Sequence, residues 1–159
     1  MDTPFSGLTR LGQARRLRAL AIEALGAYDL TWTRLRLLSN EWNCTFRVDT
    51  PSGPRALRVM RRDAAIADRK VRSEDEFVRA LAADAGLGLP RIIPTRTGDP
   101  YVRAAAAGVP GPRACVLLEW LPGGLLSDRV SISRWAALGE LMARMHHFAS
   151  AWTPSPSFD

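Results

Sequence analysis

The chain is poor in the residues on which most site chemistries are built. It has two histidines and two cysteines in 159 residues, and Lys70 is its only lysine. Cys44 and Cys115 lie far apart in separate strand-like segments, with neither metal-site spacing nor a disulfide framework, which fits a reducing cytoplasm. His146 and His147 are adjacent, and neighbours on a helix point about 100° apart, so they make a poor metal pair and no metal site is expected. Gly-x-x-x-x-Gly-Lys, His-Glu-x-x-His and Gly-x-Ser-x-Gly patterns are all absent, which argues against a P-loop, a zincin helix or a hydrolase elbow. No apolar run approaches the roughly 18 residues that span a bilayer. The opening MDTPFSGLTR lacks the basic-then-apolar order of a secretory signal, so no membrane partner and a cytoplasmic location are expected. Internal repeats and long low-complexity segments are also lacking.

What is present is ordinary for a globular domain. Hydrophobic residues make up 47% and charged residues 24%, and the length suits one domain with a real core. The net charge of +6 is compatible with an anionic partner. Its densest cluster, Arg15, Arg16 and Arg18, falls in an amphipathic helix whose solvated face accounts for it, so nucleic-acid binding is disfavoured.

Apolar residues at helical spacing predict a first helix over residues 8–28, with Leu8, Leu11, Ala14, Leu17, Ala21, Ala24, Leu25 and Tyr28 inward and Gly26 as its C-cap. Thr31–Leu38 reads as a strand, with Leu35 and Leu37 alternating against Arg34 and Arg36. The stretch from Ser39 to Arg62 reads as a hairpin: Cys44, Phe46 and Val48 alternate on one side of Thr50-Pro51-Ser52-Gly53-Pro54, Leu57 and Val59 on the other. From Ala64 to Ala85 the period turns helical, with Gly86 and Gly88 ending it. Val71, Phe77, Val78 and Leu81 form the inward stripe, and Glu74 lies on the same stripe. Pro90–Arg96 and Tyr101–Ala106 suggest a further hairpin around Thr97-Gly98-Asp99-Pro100. Ala114–Trp120 is an almost continuous apolar run, the mark of a central strand buried on both faces. Pro122 must stop it, and Leu121-Pro122-Gly123-Gly124 makes a boundary or hinge. The last helix runs over residues 131–150, with Ser131 as N-cap. The tail from Trp152, WTPSPSFD, leaves regular structure.

Two charges stand out in this order of elements. Arg58 sits amid apolar neighbours on a strand, and Glu74 follows sixteen residues later on the inward stripe of a helix. A carboxylate on an apolar face is costly unless paired. Phosphoryl transfer needs such a pair: a cation on the nucleotide's phosphates and a carboxylate that holds the cation in place. A buried strand ending in a hinge also exposes backbone groups, here at Glu119 and Leu121, that can read an adenine edge.

The segments Asn43-Cys44-Thr45-Phe46-Arg47-Val48, Ala56-Leu57-Arg58-Val59, Ser73-Glu74, Leu117-Leu118-Glu119-Trp120-Leu121-Pro122-Gly123 and Leu138-Gly139-Glu140-Leu141-Met142-Ala143-Arg144-Met145-His146, in this order and spacing, resemble the N-terminal part of the aminoglycoside phosphotransferase-like family. That kinase-like group also includes homoserine, choline and related small-molecule kinases. The resemblance implies an α+β fold: a protein-kinase-like N-terminal lobe, with an antiparallel sheet of about five strands and a packed helix. The N-terminal helix and the first helix of a C-terminal lobe are added to it. Residues 1–121 would form the nucleotide-binding lobe, and 122–159 the hinge and that first helix. The resemblance further implies that the loop from Ser39 to Asn43 covers the phosphates. Arg58 stands where the family has a phosphate-binding lysine, paired with Glu74. The Glu119 carbonyl and Leu121 amide hold adenine, and Leu118 lines the back of the pocket. ATP is the implied cofactor and a small-molecule hydroxyl the implied acceptor.

Two departures concern the loop, which has no glycine-rich pattern, and the strand cation, which is Arg rather than Lys. A third is larger. The family's His-Gly-Asp-type catalytic loop, its downstream Asn and its metal-binding Asp do not occur in this sequence. No catalytic residue is therefore assigned, Mg²⁺ is expected only with the missing lobe, and the chain by itself is expected not to turn over. A fragment or a natural half-protein is the expectation. The rival from another class is a non-catalytic interaction module that meets a partner through the last helix or the basic surface. Trp135, Leu138, Leu141, Met142, Met145 and Phe148 form an apolar stripe that would leave roughly 1.5–3 kcal/mol per side chain unburied, so self-association through the 131–150 helix is expected.

Overall fold

The computed structural model describes residues 3–85, 87–124 and 131–159, with the backbone alone at 62–67 and 84–85. Helix α1 spans Arg10–Leu25 and is followed by strands β1 (Arg34–Asn40), β2 (Asn43–Asp49) and β3 (Arg55–Asp63). Helix α2 (Ala64–Ala85), short strands β4 (Ile92–Ile93) and β5 (Val102–Ala104), strand β6 (Arg113–Glu119) and helix α3 (Ile132–Ala151) complete the order. All six strands join one antiparallel sheet in the order β1-β2-β3-β6-β4, with β5 also on β6.

The β2–β3 hairpin forms where the alternation places it. Its turn closes through the Gly53 N–H to Thr50 O at 3.0 Å and the Thr50 hydroxyl to Gly53 O at 2.5 Å. Gly53 has φ of 106°, which a side chain would strain. Cys44, Phe46, Val48, Leu57 and Val59 all point to one face and are fully buried there. With Cys115 and Leu117 of β6 they meet Leu17, Leu20, Ala21, Ala24 and Leu25 of α1, forming the main core. Tyr28 completes it, its hydroxyl donating to the Cys115 carbonyl at 3.1 Å. The opposite face carries a smaller cluster of Val71, Ile92 and Val116 beneath α2, with Met60, Tyr101 and Leu118 at its margin.

Several sequence expectations shift. Helix α1 starts at Arg10, capped by the Thr9 hydroxyl, which accepts from Gly12 N at 3.1 Å. Its buried face begins further along than the periodicity placed it: Leu11 is 56% exposed, whereas Leu20 is wholly buried. Gly26 does end the helix, but in right-handed geometry rather than as a left-handed cap. Leu37 is exposed although it stands opposite buried Phe46, at the point where the register of edge strand β1 slips between Leu37 and Ser39. The expected hairpin of residues 90–106 does not form. Instead β4 and β5 pair side by side on one edge of β6, through Ile92↔Leu118 and Val102↔Cys115. Pro90, Pro94 and Pro100 cannot donate to a ladder between them. The intervening turn is tied to the end of α1 by the Arg96 N–H to the Ala27 carbonyl at 3.0 Å. Gly86, expected to end α2, lies outside the described residues.

Helix α3 is capped by the Ser131 hydroxyl, which accepts from Arg134 N at 3.3 Å. Phe148 is its one buried side chain, while Trp135 (54%), Met142 (48%) and Leu141 (37%) are exposed. The tail leaves helical geometry at Trp152 and folds back on α2, where Phe77, Phe148, Trp152 and Phe158 pack edge-on or stacked with ring centroids 4.9–6.1 Å apart. Such pairs add about 0.5–1.5 kcal/mol each beyond area burial.

Candidate functional site

Strand alternation sorts side chains by face, and the face toward α2 gathers the polar ones. Leu57 and Val59 point into the main core, so Arg58 between them points the other way. By the same parity Asn43, Thr45 and Arg47 of β2 and Val116 and Leu118 of β6 share Arg58's side of the sheet. The register sets Thr45 and Val116 on either side of Arg58, and Arg47 and Leu118 on either side of Ala56.

Helix α2 brings the acid. Val71 is buried in the cluster against the sheet and Leu81 is buried further along the helix, and Glu74 lies between them in sequence. Arg58 donates from Nη1 to Glu74 Oε1 at 2.8 Å and from Nη2 to Oε2 at 2.5 Å, a two-pronged pair that fixes orientation as well as charge. The Arg58 side chain keeps 19% exposure and the Glu74 side chain 40%, so the cation is the more enclosed partner. Asp68–Arg72 and Asp75–Arg79 pair along α2 one turn apart, each at 2.9 Å. Arg58 Nε is buried and has no hydrogen-bond partner. A buried donor left unpaired costs about 1–3 kcal/mol, so the site suits an acceptor oxygen there.

At the other end of the face, Ala56 has too small a side chain to block the strand, and Arg47 reaches across it. The Arg47 guanidinium lies 4.8 Å from the centre of the Trp120 ring. Asp49 accepts from Arg47 Nε at 2.7 Å and lies 3.2 Å from Arg36 Nη2. The Arg47 hydrogen bond, with Arg36 in support, outweighs desolvation and holds the Asp49 carboxyl below its usual range. Arg91 grips Glu119 twice, from Nε at 3.1 Å and Nη2 at 3.0 Å, and these bonds lower the Glu119 carboxyl. The Glu119 N–H also donates to the Arg91 carbonyl at 2.9 Å, which fixes the chain just before it leaves the strand at Trp120. Leu121, past the strand end, is 44% exposed.

Of the residues expected at the site, Asn43, Arg58, Glu74 and Leu118 therefore share one face, and Glu119 and Leu121 lie at its edge. The expected phosphate loop is shorter than read. Ser39, Asn40 and Asn43 belong to strands, leaving Glu41 and Trp42 as the turn. That turn is tied to α1 and to β3: Asn40 Nδ2 donates to the Arg10 carbonyl at 2.6 Å, and Arg61 of β3 donates to the Glu41 carbonyl. Asn43 Oδ1 accepts from Arg61 N at 3.4 Å. Thr45, Arg47, Ala56, Trp120 and Arg91 were not singled out from sequence. The strand parity that turned Arg58 toward α2 also assigns Thr45, Arg47 and Ala56, but Trp120 and Arg91 emerge only with the pairing. Concavities of about 470 and 530 Å³ lie elsewhere, beside Ala27–Arg96 and Tyr28–Leu117, and neither is lined by Arg58 or Glu74. Among the described residues no group of three or more His, Cys, Asp or Glu is placed to hold a metal ion. No described helix is long and apolar enough to cross a membrane.

An antiparallel six-stranded sheet with a helix carboxylate fixing a strand cation is a kinase-like phosphotransferase fold. The chain belongs to the phosphotransferase enzyme family, whose sequence model matches residues 33–159. Among solved structures it is similar to a microcompartment-associated aminopropanol kinase, at 28% identity and a TM-score of 0.76 over 89% of this chain and 43% of that one. An amicoumacin kinase, solved in complex with AMP-PNP, Ca²⁺ and Ami, shares the fold at 16% identity and a TM-score of 0.63, over 92% of this chain and 42% of that one. The chain spans less than half the length of these two structures. No curated protein matches it.

Proposed function

We propose that the chain is the ATP-binding lobe of a small-molecule phosphotransferase, with residues 1–121 forming the lobe and 122–159 the hinge and first helix of a second lobe. The observation that carries this reading is the Arg58–Glu74 fork with Arg58 Nε left free. Glu74 holds the guanidinium by its two ends, and the remaining donor, buried and unpaired, would be satisfied by a phosphate oxygen that reached it. Asn43, at the mouth of the β1–β2 turn, lies on the same face for the phosphates. Leu118 backs the base, and the Glu119 carbonyl with the Leu121 amide reads its edge. When bound, ATP supplies the phosphoryl group, which in this family passes to a hydroxyl of a small molecule; the aminopropanol kinase makes an amino alcohol a natural first acceptor to try. The base that prepares such a hydroxyl and the ligands for Mg²⁺ are not among these 159 residues, so binding rather than turnover is assigned to them. Calorimetry with ATP on the wild type and Arg58→Ala tests the reading. Measurable binding that falls at least about tenfold in the variant supports it, and equal affinity in both removes the phosphate role.

A second reading rests on Trp135, Leu141 and Met142, which α3 leaves exposed on one stripe. It makes the chain an interaction module that associates with itself through α3. Sedimentation should then show a dimer that Trp135→Ser converts to monomer; a wild-type monomer at all concentrations contradicts it.

A further inference from the structure

We propose that residues 152–158 are a strap that positions Glu74. This rests on reading Glu74 as the residue that orients Arg58, and it names what orients Glu74 in turn. Among the described residues, the buried members of the cluster between α2 and the sheet are Val71, Ile92 and Val116, a narrow line of attachment. A helix held along one narrow line can roll about its axis, and roll decides where a side chain at the margin of that line points.

The tail supplies a second line of attachment. Trp152 meets the Phe77 ring edge-on at 5.1 Å and Phe158 at 4.9 Å, while Phe148 meets Phe77 at 5.7 Å. Ser155 donates from its N–H to Glu76 Oε1 and from its hydroxyl to Glu76 Oε2, both at 2.8 Å. The Asp159 N–H donates to the hydroxyl of Ser73, itself only 5% exposed. Ser73, Glu76 and Phe77 all lie within one turn of Glu74. At 3.6 residues per turn, Phe77 and Ser73 stand about 60° and 100° round the helix from Glu74, on the side away from Val71. Glu74 is thus bracketed, with the sheet contact on one flank and the strap on the other. Both attachments must be in place for the roll that sends its carboxylate to Arg58. Trp152, Ser155 and Phe158 are on this account positioning residues that act through Glu74 without touching a ligand.

The test combines hydrogen exchange on the full chain with ATP titration, using Trp152→Ala, the milder Ser155→Ala and Glu74→Gln. Trp152→Ala should speed exchange of the α2 amides from Val71 to Leu81 by about tenfold or more and leave those of Leu17–Leu25 in α1 unchanged. Ser155→Ala should do the same to a smaller degree, and Trp152→Phe should restore protection. Trp152→Ala should weaken ATP about tenfold in the wild-type background and less than about twofold in Glu74→Gln, because the strap has nothing left to position. Unchanged α2 exchange overturns the proposal, as does an equal loss of affinity in both backgrounds, which would mark a general loss of stability. If the wild type binds no ATP, the nucleotide reading fails, and the exchange experiment still decides the strap.

Discussion

The two faces of the sheet are made from alternate residues of the same strands, yet they differ in kind. The face toward α1 takes Cys44, Phe46, Val48, Leu57, Val59, Cys115 and Leu117 and buries them beneath a helix that presents Leu and Ala, with Tyr28 just after it. The face toward α2 takes Asn43, Thr45, Arg47, Arg58 and Leu118, and covers them in part, with a carboxylate in the middle. One face removes apolar area from water. The other keeps polar groups in fixed orientations and leaves Arg58 Nε buried without a partner. A single-residue step along β3 thus separates the apolar face from the polar one.

That separation can be broken most sharply with neighbours on one strand. Leu57→Ala should cost about 2–5 kcal/mol, because Leu57 is fully buried in the main core and its site cannot collapse freely. Urea denaturation measures it; a loss below about 1 kcal/mol would mean that the α1 face is not the stabilising one.

Alkaline titration probes the same face. Burial pushes the Cys44 and Cys115 thiols from 9.0 up to about 12. The folded chain therefore keeps those protons where the unfolded chain has lost them. Their contribution is fully present below pH 9.0 and is lost as the pH rises toward about 12. Thermal unfolding at increasing alkaline pH should show this decline, and Cys44→Ala with Cys115→Ala should remove much of it. An unchanged decline in that double variant would assign it elsewhere.

The smallest effect belongs to the polar face. Glu74→Gln should cost only about 1 kcal/mol of stability, since the pair is partly exposed on the Glu74 side. Urea denaturation again reads it, and a loss as large as that of Leu57→Ala would erase the contrast between faces.

How much of this was legible before the coordinates depends on period and range. The hairpin of β2 and β3, the limits of α2 and the place of Glu74 on its inward stripe follow from repeats of two and 3.6 that run long enough to read, whereas the pairing of Arg58 with Glu74 comes from the family resemblance. Strands β4 and β5 have two and three residues, too few to show a period, so their joint pairing to β6 was read as a hairpin between them. Leu11 and Leu20 both fit a helical stripe, and only the sheet's position chooses between them. Arg47 over Trp120 and Arg91 on Glu119 need the register of several strands at once. The docking of Trp152 and Phe158 was invisible because aromatics in a proline-containing tail follow no period.

The central claim is that Arg58 meets the phosphates while Leu118, Glu119 and Leu121 meet the base. The affinities of ATP and of adenosine, each measured on wild type and Arg58→Ala, test it most directly. The account predicts that the substitution weakens ATP at least about tenfold and leaves adenosine within about twofold. Equal losses for both ligands, or no loss for ATP, would contradict it.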